Sequence, residues 1–109
     1  MIENNVILNP YLFNLLVMTM KTALVTGANR GIGLELTRQL LDEGYTVHST
    51  YRSSKGGLEE ISHHSLSIHE MDVRNQEQII SVINAIDGPL DLLINNAGVA
   101  DGRWQSISE

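Results

Sequence analysis

Short apolar runs alternate along this chain with segments of mixed polarity, and the spacing predicts strands interleaved with helices. Ala23-Leu24-Val25 is apolar at each position, the pattern of a parallel strand buried on both faces. The next segment runs to Glu43. It places Gly33, Leu36, Thr37 and Leu40 on one helical face and leaves Glu35, Arg38, Gln39 and Asp42 largely to solvent. Gly44 is positioned to end that helix. Thr46 to Tyr51, β-branched and aromatic, reads as a second strand. Gly56-Gly57 then breaks the chain, with a short helix expected over Leu58 to Ile61. Leu66 to Met71 reads as a third strand. Leu66 and Ile68 alternate there with Ser67 and His69, which predicts an edge position with one wetter side.

Asn75 to Ile86 carries the clearest helical period. Ile79, Val82, Ile83 and Ile86 form a stripe opposite Glu77, Gln78, Ser81 and Asn84, and Gly88-Pro89 stops the helix. Leu90 to Ile94 is a fourth, almost wholly apolar strand. Such alternation predicts an α/β domain with a parallel sheet and helices on both faces. Before this rhythm, Val6 to Met18 is fairly apolar but interrupted by Asn9, Pro10 and Asn14. It is too short to span a bilayer, and the first basic residue is Lys21, so neither a membrane span nor a secretory signal is expected. Residues 1–19 read as an extension outside the fold, and 20–109 as the domain. The rival reading is an amphipathic segment that packs on the domain or on a partner. At the other end, Ser106-Ile107-Ser108-Glu109 has capping-box spacing, so either a helix begins there or a polar tail is disordered.

Composition narrows the partners. The 109 residues suffice for one modest domain. The net charge is −6, and the seven basic residues are scattered, which argues against a nucleic-acid surface. There is no cysteine, so disulfide and thiol chemistry are excluded and a reducing compartment is permitted; the expected location is cytoplasmic. The four histidines, His48, His63, His64 and His69, lack the spacing of a metal site, and no metal is expected.

The chemistry concentrates in Thr26-Gly27-Ala28-Asn29-Arg30-Gly31-Ile32-Gly33. A strand feeds this glycine-rich turn and a helix leaves it. Glycines there let backbone approach a pyrophosphate, while the helix N-terminus offers free N–H groups and the positive end of its dipole. Without that context the same glycines are an ordinary tight βα turn. A second landmark, Asn95-Asn96-Ala97-Gly98, closes the fourth strand. Between the two, no acid occurs from Thr46 to Lys55, where an NAD site usually carries one. Arg52 stands there instead, with Arg30 inside the glycine turn. An arginine fork can pair with a 2′-phosphate, so NADP(H) is expected over NAD(H). The alternative is that Arg52 and Lys55 form a solvated basic turn.

Thr-Gly-x-x-x-Gly-x-Gly at 26–33 followed by Asn-Asn-Ala-Gly at 95–98 resembles the N-terminal half of a short-chain dehydrogenase/reductase, and the likeness covers about residues 20–100. It is also similar, in Thr-Gly-Ala-Asn-Arg-Gly-Ile-Gly-Leu-Glu-Leu, to the C-factor and carbonyl-reductase-like branch. The resemblance implies a Rossmann-type doubly wound parallel sheet, here partial, with four strands in the order 3-2-1-4. It implies cofactor contacts at Gly27, Asn29, Arg30, Gly31, Ile32, Gly33, Arg52, Asp72, Val73, Asn96, Ala97 and Gly98. Asp72 would accept from the adenine amino group and Val73 would flank the ring; equally, Asp72 could cap the helix that begins near Asn75. Asn95 would tie strands together, while Ala97 and Gly98 leave room for a ribose.

The family's catalytic pair is Tyr-x-x-x-Lys on a later helix. Tyr51 and Lys55 have that spacing, but they precede the Asn95–Gly98 strand end and border Gly56-Gly57, so the match is read as coincidence. No catalytic residue is assigned. The expected function is therefore the cofactor-binding portion of an NADP-dependent oxidoreductase whose catalytic half is absent here, inactive alone. The alternative is a non-catalytic binding module that self-associates through the bare edge of its fourth strand.

Overall fold

The computed structural model describes residues 2–3, 6–7, 9–11 and 20–97. Gly98 and the capping-box spacing at Ser106–Glu109 lie outside them. Strands β1 (Ile2–Glu3) and β2 (Val6–Ile7) pair antiparallel as a separate two-stranded sheet.

The main sheet holds β3 (Thr22–Thr26), β4 (Thr46–Tyr51), β5 (Leu66–Glu70) and β6 (Leu92–Asn95). All neighbours are parallel and the spatial order is β5-β4-β3-β6, the doubly wound order expected. The chain therefore crosses outward from β3 to β4 and β5, then returns to the opposite side of β3 as β6. That reversal creates a switch point between β3 and β6, where sheets of this kind bind ligands at the carboxyl ends of the strands.

Register assigns each side chain a face. Val25 lies opposite Ser49 and Ile94, and Leu24 opposite His48 and Leu93. One face carries Val25 and Val47 with Leu66, Ile68 and Ile94, and packs with Leu41 and Leu58. It is covered by helix α1 (Gly31–Asp42) and by a short 3₁₀ helix, Gly56–Glu60. The other face packs Leu24 and Met71 against Val82, Ile79 and Ile86 at helix α2 (Gln76–Ala85) and its C-cap. Helices thus cover both faces.

Details depart from the sequence pattern for local reasons. In α1 the fully buried row is Gly33, Thr37 and Leu41, with Leu34 and Leu40 beside it; Leu36 is only half-buried. Glu43 caps α1, and Gly44 adopts the positive φ that turns the chain away. In α2 only one row meets the sheet. Val82 is 2% exposed, whereas Ile83, expected in the stripe, is 56% exposed. The 3₁₀ helix starts at Gly56, not Leu58, because that glycine pair docks onto the glycine turn after β3. Ladder pairing of β6 starts later than Leu90. Asp91 instead accepts the Thr22 amide on its carboxylate at 2.8 Å and donates its own amide to the Thr22 carbonyl at 2.9 Å.

Candidate cofactor site

The turn after β3 is built from three glycines with three different requirements. Gly27 has φ +61°, and a Cβ there would lie 2.8 Å from the Ala97 Cα. Gly33 has an ordinary φ, but its Cβ would meet the Gly27 carbonyl at 2.5 Å and the Asn96 amide nitrogen at 2.7 Å. Gly31 has φ +59° and nothing within 4 Å of its Cβ position. Two of these glycines therefore serve close packing, and the third borders open space.

That open space lies at the start of α1. Arg30, in extended conformation, is the N-cap residue, and no side chain caps the helix. No acidic residue occupies the first turn. The leading amides of a helix have no carbonyl partner within it, so this terminus presents N–H groups and positive dipole character outward. Ile32 stands beside it 68% exposed, and Arg30 is exposed as well.

Neighbouring strand ends hold the turn in shape. The Thr26 hydroxyl donates to Asn95 Oδ1 at 2.9 Å and accepts from the Asn96 and Ala97 amides at 2.9 and 3.1 Å. One hydroxyl thereby uses its proton and both lone pairs, and joins β3 to β6. Asn96 donates its side-chain amide to the Gly27 carbonyl at 2.9 Å. On the other side, the Ala28 amide donates to the Thr50 carbonyl at 2.8 Å, and the Gly57 amide to the Asn29 carbonyl at 2.9 Å. Beneath the turn, Thr37 Oγ1 donates to the Gly33 carbonyl at 3.0 Å. Its single proton being used, Ser49 Oγ donates to Thr37 across a buried 2.7 Å contact.

A second group of expected residues gathers at the ends of β4 and β5. A cleft of about 480 Å³ is lined by Arg52, Ser53, Glu70, Asp72, Arg74 and the N-terminal part of α2. Glycine-turn residues do not line it, so the candidate site has two parts along the carboxyl edge of the sheet. Val73 is exposed and lies outside the lining.

Asp72 is already engaged. Arg74 forks onto it, with Nε to Oδ1 at 3.1 Å and Nη2 to Oδ2 at 2.9 Å, and the Arg74 amide donates to Oδ1 at 2.9 Å. These bonds to Arg74, with lesser help from the Arg52 charge, lower the Asp72 pKa to about 2. The capping alternative for Asp72 is overturned: Asn75 is the N-cap of α2, and its side chain accepts the Gln78 amide at 3.1 Å. Gln78 in turn accepts the Asp72 amide at 2.7 Å.

Thr50, Gly56, Gly57 and Arg74 were not read from the sequence as parts of the site. The paired glycines were a usable signal. Gly56 has φ +51°, a Cβ there would run into the Asn29 carbonyl, and the Gly57 amide bonds that carbonyl, so the apparent break is a contact. Thr50 and Arg74 have no local signature. Tyr51 closes β4 and Lys55 precedes the 3₁₀ helix, so the two share no helix. Among the described residues no set of three His, Cys, Asp or Glu side chains could hold a metal ion, and no helix is long and apolar enough to cross a membrane.

A doubly wound parallel sheet, with an uncapped glycine-rich helix start at its switch point, defines a nucleotide-binding α/β architecture. A family model described as short chain dehydrogenase matches residues 21–109, and the chain belongs to that family. It is 44% identical over 93 residues to (+)-neomenthol dehydrogenase of Arabidopsis thaliana, covering 74% of this chain and 31% of that protein. Among solved structures it resembles an actinorhodin polyketide ketoreductase with NADPH, with TM-score 0.63 and 35% identity over 71% of this chain and 33% of that one. ElxO with NADP bound aligns with TM-score 0.62 and 32% identity, covering 72% of this chain and 35% of that one. The chain thus spans about a third of the length of these relatives.

Proposed function

We propose that this chain holds a nicotinamide dinucleotide, NADP(H) in preference to NAD(H), for a hydride-transferring oxidoreductase acting on a carbonyl or alcohol. The observation that carries the reading is the start of α1: uncapped, free of acid, and open in front of Gly31. The diphosphate lies against the amides of Gly31, Ile32 and Gly33, with Gly27, Asn29 and Arg30 forming the turn around it. Asn96 supports that turn, and Ala97 borders the ribose; Gly98 is assigned to the same role on the Asn-Asn-Ala-Gly motif alone. Arg52 receives the 2′-phosphate, and Asp72 with Val73 borders the adenine. The cofactor supplies hydride chemistry; these residues bind and orient it. Support for the phosphate form comes from Arg52 in the cleft and from the NADP- and NADPH-bound neighbours.

In this reading residues 20–109 form the binding domain, and 1–19 an extension outside it. The cysteine-free chain works in the cytoplasm. Calorimetric titration with NADPH and NADH tests the assignment. Tighter binding of NADPH is expected; tighter binding of NADH, or of neither, overturns it. A second reading draws on β6, which pairs only with β3 among the described residues and leaves Leu93 57% exposed. A non-catalytic module would associate with itself through that edge. Sedimentation as a monomer at all concentrations counts against it.

A further inference from the structure

We propose that Arg74 is a specificity-determining residue: it neutralises Asp72 and so makes the Arg52 cleft able to accept a ribose phosphate. The inference rests on the dinucleotide reading above and deepens it. The sequence favours NADP(H) through the absence of acids between Thr46 and Lys55. Folding reverses that advantage, because it brings Glu70 and Asp72 from the end of β5 into the cleft that Arg52 lines. Set against Arg52 alone, two carboxylates would leave the cleft with an excess negative charge and repel a phosphate.

Arg74 restores the balance. Its fork occupies both oxygens of Asp72 and leaves Nη1 uncommitted. The pair is the salt bridge seen among the described residues, at 2.9 Å. Geometry separates its electrostatic role from a structural one. Arg74 is 74% exposed and no part of the core. The Asp72 backbone is pinned independently, its amide by Gln78 and its carbonyl by the Asn75 amide at 2.8 Å. Removing the Arg74 side chain therefore leaves the Asp72 charge uncompensated, held only by the amide at position 74, without releasing the loop. The low Asp72 pKa, set first by the hydrogen bond from Arg74, agrees with this arrangement.

The full chain and its Arg74→Gln variant are titrated with adenosine 2′,5′-bisphosphate and with 5′-AMP, and the Asp72 carboxyl is followed by NMR across pH. The wild-type chain is expected to prefer the bisphosphate. Arg74→Gln should lose about tenfold in bisphosphate affinity while 5′-AMP binding holds. Asp72 should titrate back toward 3.8 in that variant. Adding Asp72→Asn should restore the preference for the bisphosphate over 5′-AMP, a ratio in which any lost adenine contact cancels and which a merely structural role would not restore. If the wild-type chain binds neither probe, the dinucleotide reading and this inference fall together. If it prefers the bisphosphate and Arg74→Gln keeps that preference, or Asp72→Asn gives no rescue, only the role of Arg74 falls. Circular dichroism confirms that each variant is folded, and Arg74→Lys, which keeps charge without the fork, should retain part of the preference.

Discussion

At the scale of single residues, the three glycines of the turn make separable predictions. Gly33→Ala drives a Cβ into the Gly27 carbonyl and the Asn96 amide. Backbone cannot yield there as a flexible side chain would, so the variant should lose about 1–3 kcal/mol of stability by chemical denaturation. Gly31→Ala meets no atom within 4 Å but must hold φ +59°. Its stability cost should be about 1–2 kcal/mol, the left-handed penalty alone. Its effect on dinucleotide affinity should be the larger of the two relative to that cost, because the added methyl projects into the open space proposed for the diphosphate. Equal ratios in both variants would refute the division of roles. Thr26 allows a similar contrast. Thr26→Val abandons the Asn96 and Ala97 amides and Asn95 Oδ1, and should cost about 1–3 kcal/mol. Thr26→Ser keeps the hydroxyl and should retain most of that stability in the same denaturation series.

At the scale of elements, the short 3₁₀ helix shows how a connection becomes part of the core. Leu58 is fully buried among Val25, Ala28, Leu41 and Val47. Leu58→Ala should destabilise by about 2–5 kcal/mol, the range of buried leucine truncations. Because the Gly57 amide holds the Asn29 carbonyl, amide exchange in the glycine turn should quicken in the same variant; exchange confined to Gly56–Glu60 would show the two are uncoupled. This contact also marks where sequence reading stops. β3 and β4 were legible because each carries its own pattern and the helix between them has clear ends; the order of the sheet came from the family resemblance, not from any strand. The glycine turn and Asn95–Ala97 were legible as motifs. The illegible parts depend on registry between distant segments: Gly57 on Asn29, Thr50 beneath Ala28, and Arg74 turned back onto Asp72. The exposure of Ile83 belongs with these, since period alone cannot say how wide a stripe the sheet covers.

At the scale of the whole molecule, acid should weaken the fold through a partly buried histidine pair. His48 on β4 is 7% exposed, and its Nδ1 lies 2.9 Å from His69 Nε2 on β5. The residues on that side of β3 and on the inward row of α2 are Thr22, Leu24, Ile79, Val82 and Ile86, none of them ionisable. Burial lowers the pKa of both rings from 6.5, and the nearby His69 lowers His48 further. Well above pH 6.5 neither the folded nor the unfolded chain is protonated there, so stability is level. Below it the unfolded chain takes up protons first, and stability falls with pH until the folded pKa values are passed. The pair can share one proton in its hydrogen bond, but two would set N–H against N–H, so the second uptake is the more damaging. Asp72 adds a later loss, avoided well above 3.8 and developing as pH falls through about 2, and small because its partner Arg74 is 74% exposed. Urea denaturation from pH 8 to about 5 should therefore show a flat limb and then a decline. His69→Gln removes one titrating group while leaving His48 a polar partner, and should reduce that decline to roughly half. An unchanged decline in His69→Gln would assign the acid sensitivity to groups outside this pair.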